Sequence, residues 1–311
     1  MKETFQWLLE GSGAVTIFDK CMLFIVKIIY LILRTSLRIT LGKERRDRLC
    51  AKHDLDFGTL WYKFYKILNR SNEPLLKLKM PKYNLQFYCR NNKDDFTTMT
   101  MREDEIIRHF NTKQGDIVVD VGAHIGKYTI IASKRVGENG KVIAIEAHPG
   151  NYEMLNRNIK LNGLTNVTTL NYAVYSKESK IKLFLPGGKS NHTIYNTLIS
   201  SRATNEEKFV EVNANTLDSL LLQGGISHAE VNWIKIDVEG AEFEVLKGAH
   251  DIMSNSNNIT FLIEIHNLED GKNLYRPIMD LMEKHKFKVE FENTYDNGEK
   301  HIILHKQLPV L

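Results

Sequence analysis

One stretch, Asp116-Ile-Val-Val-Asp-Val-Gly-Ala-His-Ile-Gly126, constrains the fold of this chain more than any other. Ile117, Val118 and Val119 form a β-branched run of the kind buried on both faces of a parallel sheet. The run ends in an acid, Asp120. Two glycines, Gly122 and Gly126, follow, and then a helical segment from Tyr128 to Arg135. Strand, glycine turn and helix in that order make the ligand cradle of an open α/β sheet. Twenty residues beyond Gly126 a second strand, Val142-Ile-Ala-Ile, ends in Glu146, where an acid is placed to hold the two hydroxyls of a ribose. The expected ligand therefore carries a nucleoside.

The loop discriminates between nucleoside ligands. A dinucleotide fingerprint, G-x-G-x-x-G, lets backbone N–H groups approach a pyrophosphate. Here the spacing is Gly122-x-x-x-Gly126, with Ala123 and His124 between, and Asp120 stands at the mouth of the loop, where a carboxylate repels phosphate and attracts a cation. S-adenosylmethionine offers a ribose, an α-ammonium group and a sulfonium, and no phosphate. One acid for its amino-acid end and one for its ribose suit it. An NAD-dependent oxidoreductase and a non-catalytic nucleoside-binding scaffold are the alternative readings. The first is opposed by Asp120 and the missing third glycine, the second by the intact set Asp120, Gly122, Gly126, Glu146 and Asp237. Gly187-Gly188-Lys189-Ser190 resembles the end of a phosphate loop, but Leu183 stands where its leading glycine belongs.

The 311 residues suffice for one large domain and a smaller appendage, and 42% apolar with 26% charged residues is an ordinary globular composition. A net charge of +4 gives no nucleic-acid footprint. Cys21, Cys50 and Cys89 are too few and too scattered for a disulfide framework or a zinc site, which makes a reducing, cytoplasmic setting the expectation.

The first 75 residues stand apart from the α/β pattern and are expected to be a helical extension, with residues 76–311 as the main domain. Val15 to Leu41 reads as one helix with an apolar run, Cys21 to Leu33, broken only by Lys27. Lys20, Lys27, Arg34 and Arg38 lie on one narrow stripe of it. The run is too short to span a bilayer, for which about 20 residues are needed. A broad apolar face with a basic stripe suits a helix lying in a membrane interface, and packing against the protein is the competing use. A second amphipathic segment covers Leu60 to Leu68.

Leu76 to Tyr88 alternates as a β-hairpin, and Arg102 to Phe110 reads as a helix. From Asp116 strands and helices alternate, the pattern of a mostly parallel sheet. Strands are expected at Ile117–Asp120, Lys141–Glu146, Val167–Tyr172, Trp233–Asp237 and Thr260–His266, with helices at Tyr128–Arg135, Tyr152–Asn162, Phe243–Met253 and Leu274–His285. Asn297-Gly298 between Lys288–Asn293 and His301–His305 predicts a closing antiparallel hairpin. Pro186 to Thr216 reads as a polar insertion, a loop or hairpin above the active-site edge.

These residues together resemble the FkbM-type family of S-adenosylmethionine-dependent methyltransferases. The resemblance rests on Gly115-Asp116, Asp120-Val-Gly-Ala-His-Ile-Gly126, Glu146 with Pro149, Asn158 with Leu161-Asn162, Thr216-Leu-Asp218-Ser, Ile236-Asp237-Val-Glu239-Gly240-Ala-Glu242 and Phe261-Leu-Ile-Glu264-Ile-His266. It covers the chain from about Arg102 onward. It implies a Rossmann-like, class I methyltransferase sheet, S-adenosylmethionine as cofactor, and O-methylation of a hydroxyl on a sugar, glycan or related metabolite. His124 stands where the family usually carries Asn.

In such a sheet ligands bind outside the carboxyl ends of the strands. Asp120 is expected to meet the cofactor's amino end through the loop of Gly122, Ala123, His124 and Gly126. Glu146 is expected at the ribose, Asn171 and the backbone at Ala173 at the adenine, and Asp237 beside the transferable methyl group. Glu264 and His266 share one face of their strand, so Asp237, Glu264 and His266 form the expected catalytic set, with His266 the preferred base and Asp237 the alternative. Spacing does not establish a metal, and none is assigned.

Overall fold

The computed structural model describes residues 103–184, 209–256, 258–267, 274–295 and 298–307, together with positions 25, 28–32, 35, 36, 39, 40, 62, 63, 75–80, 84–90, 92, 95 and 96. The chain divides into two compact units, Met1–Asp104 and Glu105–Leu311.

In the first unit the described residues from 25 to 40 are helical, with Ile25, Ile28, Ile29, Leu31, Ile32 and Ile39 exposed. Among the described residues, no helix is long and apolar enough to cross a membrane. Lys20, Lys27, Arg34, Arg38 and most of the Leu60–Leu68 segment fall outside the described residues. Strands β1 (Leu75–Met80) and β2 (Leu85–Arg90) pair antiparallel. This hairpin lies in the first unit. Asp95 holds its end through a bidentate pair with Arg90 at 2.8 and 2.9 Å.

The second unit begins with a short helix, α1 (Asp104–His109), and is built on a seven-stranded sheet. Its strands are β3 (Ile117–Val121), β4 (Lys141–Ile145), β5 (Val167–Leu170), β9 (Val231–Ile236), β10 (Asn258–Ile265), β11 (Lys288–Thr294) and β12 (Lys300–Gln307), in the order β11-β12-β10-β9-β3-β4-β5. β5, β4, β3, β9 and β10 are parallel, and β12 runs antiparallel to β10 and β11. This is the expected class I methyltransferase arrangement. The tip of the closing hairpin, residues 296 and 297, falls outside the described residues.

Successive residues of the central strands face opposite layers. Val119, Val121, Ile143, Ile145, Ile234 and Ile236 pack with α4 (Leu217–Gln223), α5 (Glu242–Lys247), α6 (His250–Asn255) and α7 (Tyr275–Lys284). On the opposite face Ala144 meets Leu155 and Ile159 of α3 (Pro149–Leu161), and α2 (Lys127–Val136) follows the glycine loop. Local chemistry sets the helix starts. Pro149 opens α3 at a position that needs no N–H, and the Thr216 hydroxyl caps α4 through Ser219 N–H at 3.1 Å.

Two expectations change. The segment Phe243–Met253 is two helices, broken at Gly248. A Cβ there would stand 2.2 Å from the Tyr175 carbonyl oxygen, and Asp218 caps α6 from a distance by accepting the Asp251 and Ile252 N–H groups at 2.8 and 3.0 Å. The third strand stops at Leu170 because the Asn171 side chain turns to donate to the Glu146 and Ala147 carbonyls at 2.8 and 3.1 Å. The insertion ends in β8 (Phe209–Asn215), which pairs antiparallel with β7 (Ser179–Phe184) as the expected hairpin and, with β6 (Ala173–Val174), makes a separate three-stranded sheet in the order β6-β8-β7. Residues 185–208, with the Gly187-Gly188-Lys189-Ser190 run, fall outside the described residues.

Candidate active site

The β3–α2 loop closes by a run of left-handed residues: Gly122 (φ 75°), His124 (φ 51°) and Gly126 (φ 100°). Glycine enters that region freely, and Asn and His are among the side chains that tolerate it best, which accounts for His124 at a position where the resembled family carries Asn. Gly122 is needed for space as well, because a Cβ would lie 1.8 Å from the Asp237 carbonyl oxygen. The loop is tied to the neighbouring strand by Gly122 N–H and Ala123 N–H donating to Ile145 O at 2.9 and 3.0 Å. It is tied to α3 by the Asn158 amide donating to Ile125 O at 2.8 Å.

Glu146 follows β4, and its carboxylate joins two loops. Oε2 accepts His124 N–H at 2.8 Å, and Oε1 accepts His148 N–H at 2.8 Å and the Asn151 amide at 3.5 Å. Burial raises its pKa to about 7 against the opposing pull of these donors and of Lys235. Each carboxylate oxygen can accept more than one hydrogen bond, so acceptor capacity remains for a pair of hydroxyls.

Lys235 is a buried cation inside a mostly apolar strand. Its ammonium lies 3.4 Å from Asp120 Oδ1 and 3.2 Å from Asp237 Oδ2 and donates to Gly122 O at 3.1 Å. It also stands 5.3 Å from the centre of the Tyr128 ring. Asp120 is only 1% exposed and accepts the Thr129 hydroxyl at 2.6 Å. It is not an open carboxylate at the loop mouth, as the sequence suggested. Its carboxylate lies against Lys235 and Thr129 at the strand end.

Beyond the ends of β9 and β10 lies a concentration of acids and imidazoles. His266 Nδ1 bonds Glu242 Oε1 at 2.8 Å, and the same oxygen accepts Gly240 N–H at 2.9 Å. His266 Nε2 faces Glu239 Oε2 at 3.5 Å, and Asp237 Oδ1 and Glu264 Oε1 each at 3.9 Å. Glu264 Oε2 pairs with His301 Nε2 at 3.1 Å. Glu239 holds φ at +53°, a strained value of the kind concentrated at functional sites.

The charges follow from this crowding. Burial alone would raise Asp237, but Lys235 and His266 hold it below the usual carboxylate value. Burial lifts Glu239 to about 7, opposed by His266 and reinforced by the acids around it. Burial and then Asp237 raise Glu264. Burial would lower His266, but Glu239, Glu242 and Glu264 drive it well above an ordinary imidazole. His266 therefore holds its proton more tightly than an ordinary imidazole does.

The structure brings Asp237, Glu264 and His266 together, and it places the glycine loop beside Glu146. Asn171 donates its amide to the Glu146 and Ala147 carbonyls, and Ala173 lies in the small sheet paired with Ala214. Sequence reasoning missed the role of Lys235, although a lysine two residues before Asp237 in a buried strand must share its face. It also missed Glu242 as the partner of His266, which no spacing rule connects.

Among proteins similar to this chain is a methyltransferase, sdnD, of Sordaria araneosa, 30% identical over 166 residues that cover 45% of this chain and 63% of that protein. The hexuronic acid methyltransferase AglP of Haloferax volcanii is 27% identical over 174 residues, covering 55% of this chain and 66% of AglP. This chain thus matches a little under two thirds of the length of each. A solved structure of methyltransferase FkbM from Methylobacillus flagellatus KT superposes with a TM-score of 0.41 and 16% identity, covering 67% of this chain and 52% of that one. Residues 120–289, more than half of the chain, match the Methyltransferase FkbM domain, running from Asp120 near the end of β3 into β11, and the chain belongs to that family.

Proposed function

We propose that this protein transfers the methyl group of S-adenosylmethionine to a hydroxyl of a sugar, glycan or related metabolite. The observation that carries the reading is the placement of Glu146 against the glycine loop, two loops joined by one carboxylate with acceptor capacity left for a ribose. The acid-rich cleft beyond Asp237 then receives the acceptor. Transfer is an in-line displacement: the hydroxyl oxygen forms a bond to the methyl carbon, the carbon–sulfur bond breaks, and the hydroxyl proton leaves. Holding the two reactants in line supplies up to about 7–11 kcal/mol in favourable cases. Both nitrogens of His266 face carboxylates, so the proton goes to Asp237 or Glu264, whose side chains are 28% and 16% exposed. The hexuronic acid acceptor in the name of AglP supports a sugar-like substrate.

Isothermal titration with S-adenosylhomocysteine, with NAD as control, is the test. Micromolar binding of the former alone is expected, followed by methyl transfer to hydroxylated acceptors. A folded protein that binds neither, or binds NAD alone, would sink the reading.

The same reading includes peripheral contact with a membrane through residues 15–41. The stripe of exposed Ile25, Ile28, Ile29, Ile32 and Ile39 supports it, as does the basic stripe of Lys20, Lys27, Arg34 and Arg38. The full chain is expected to co-sediment with anionic vesicles and a chain lacking residues 1–41 to stay in solution. Equal sedimentation of the two would end the idea.

A further inference from the structure

We infer that Asp237, Glu239 and His266 form a divalent-cation site of the Mg²⁺ or Mn²⁺ type, set in the acceptor side of the cleft. One donor atom from each residue lies within 4.8 Å of the others. The spacing between them is informative. Nε2 of His266 stands 3.5 Å from Glu239 and 3.9 Å from Asp237. These separations are long for hydrogen bonds. They approach the roughly 3–3.6 Å that separates adjacent ligands around an ion with bonds of about 2.1–2.5 Å. Small side-chain adjustments bring all three atoms onto one centre.

The surroundings are arranged for that use. His266 is more than nine-tenths buried, and its Nδ1 is committed to the fully buried Glu242, which fixes the ring so that Nε2 points at the acids. A carboxylate behind a histidine, turning its other nitrogen outward, is the usual support for a metal-bound imidazole. Asp237 divides its two oxygens the same way: Oδ2 lies against Lys235 and Oδ1 faces His266.

Charge points in the same direction. Lys235 lies between Asp120 and Asp237, and the imidazoles of His266 and His301 lie against Glu239, Glu242 and Glu264. Gathering several acids away from water is costly, and a divalent ion at their centre offsets part of that cost. Two carboxylate oxygens and one imidazole nitrogen, with positions left open, suit Mg²⁺ or Mn²⁺ better than a thiolate-seeking ion. If the methyl-transfer reading holds, the open positions take adjacent oxygens of the acceptor, and Glu264 keeps the proton-accepting role while Asp237 serves as ligand. The cation site itself does not depend on that reading.

The experiment is titration of the chelator-stripped full chain with Mn²⁺, following free ion by electron paramagnetic resonance, with Mg²⁺ and Ca²⁺ as competitors. One saturable site is expected. Asp237→Asn, Glu239→Gln and His266→Asn should each weaken it at least about tenfold, the loss typical of a removed ligand or its support. Glu292→Gln, an acid outside the cleft, should leave it unchanged. Co²⁺ in the unmodified protein supplies a readout independent of any variant's folding, since ligation by imidazole changes its visible spectrum. No saturable site in folded protein, or identical binding by all variants, overturns the inference. Mn²⁺ binding without methyl transfer would leave the site standing and count against the reaction; methyl transfer by a protein with no saturable Mn²⁺ site would do the reverse.

Discussion

Gly122→Ala is expected to give the largest loss of any single methyl group added to this protein. The new Cβ would sit 1.8 Å from the Asp237 carbonyl oxygen and 2.9 Å from its carbonyl carbon, and the residue would have to hold φ at +75°. The obstruction is backbone, so no rotamer change relieves it. Either β3 and β9 separate at their ends or the loop abandons its left-handed path. Both outcomes move the ligand cradle. The destabilisation should reach the upper end of single-substitution effects, about 4 kcal/mol, seen as a fall in melting temperature of about 10 °C. S-adenosylhomocysteine affinity should fall on the order of 100-fold, the scale of a displacement of about 1 Å in a binding geometry. Gly115→Ala is the control: φ there is +89°, yet nothing lies within 4 Å of the added Cβ. It carries only the backbone cost of about 1–2 kcal/mol. Equal effects for the two would show that the close approach to Asp237 is immaterial.

The second large effect is a pH dependence with opposite signs in the free and bound protein. Without ligand, burial holds Glu146 near pKa 7, above its ordinary 4.5. The folded state therefore keeps a proton that the unfolded chain gives up. That contribution to stability is fully present below about pH 4.5 and is lost as pH rises through about 7, a total of about 3 kcal/mol at 1.36 kcal/mol per unit. Ribose hydroxyls, by contrast, donate to the carboxylate and favour its ionised form. S-adenosylhomocysteine should bind about tenfold more weakly at pH 6 than at pH 8, with uptake of the ligand releasing a proton below pH 7. Glu146→Gln should flatten the pH profile. It should also weaken binding at pH 8, because its amide NH₂ would meet the His124 or His148 N–H donor head-on. Calorimetry in buffers of different ionisation enthalpy measures both. An unchanged profile in the glutamine variant would remove Glu146 from the ribose.

What the sequence revealed and what it withheld divide along the range of the interactions. The strand β3, the glycine loop, Glu146 and the closing hairpin were legible because each is a local pattern: a β-branched run, left-handed positions, an acid at a strand end, an Asn-Gly turn. The break at Gly248 was not, since its cause is the Tyr175 carbonyl and a cap from Asp218, both brought by other elements. The acids of the cleft could be named from their strands, and their neighbourhood could not. That Asp120 is consumed by Lys235 and Thr129, and that His266 is enclosed by carboxylates, are facts of packing. Such neighbours, brought in by other elements, are what isolated residue chemistry leaves out.

The pairing of β3 with β9 bears on how the protein reaches this state. β3 and β4 are close in sequence, as are β10 and β12, but residues 117–121 meet residues 231–236 only after a long excursion of the chain. Closing such a loop is slow compared with forming either local half. The seam between β3 and β9 is therefore expected to close late in folding and to be an early place to open. Gly122, His124 and Glu146 stand on one side of that seam, Asp237, Glu239 and His266 on the other. A ligand that touches both banks binds only the assembled form and holds it shut by mass action. Hydrogen exchange in β3 and β9 should therefore slow on ligand binding more than in β5 or β11, at the margins of the sheet.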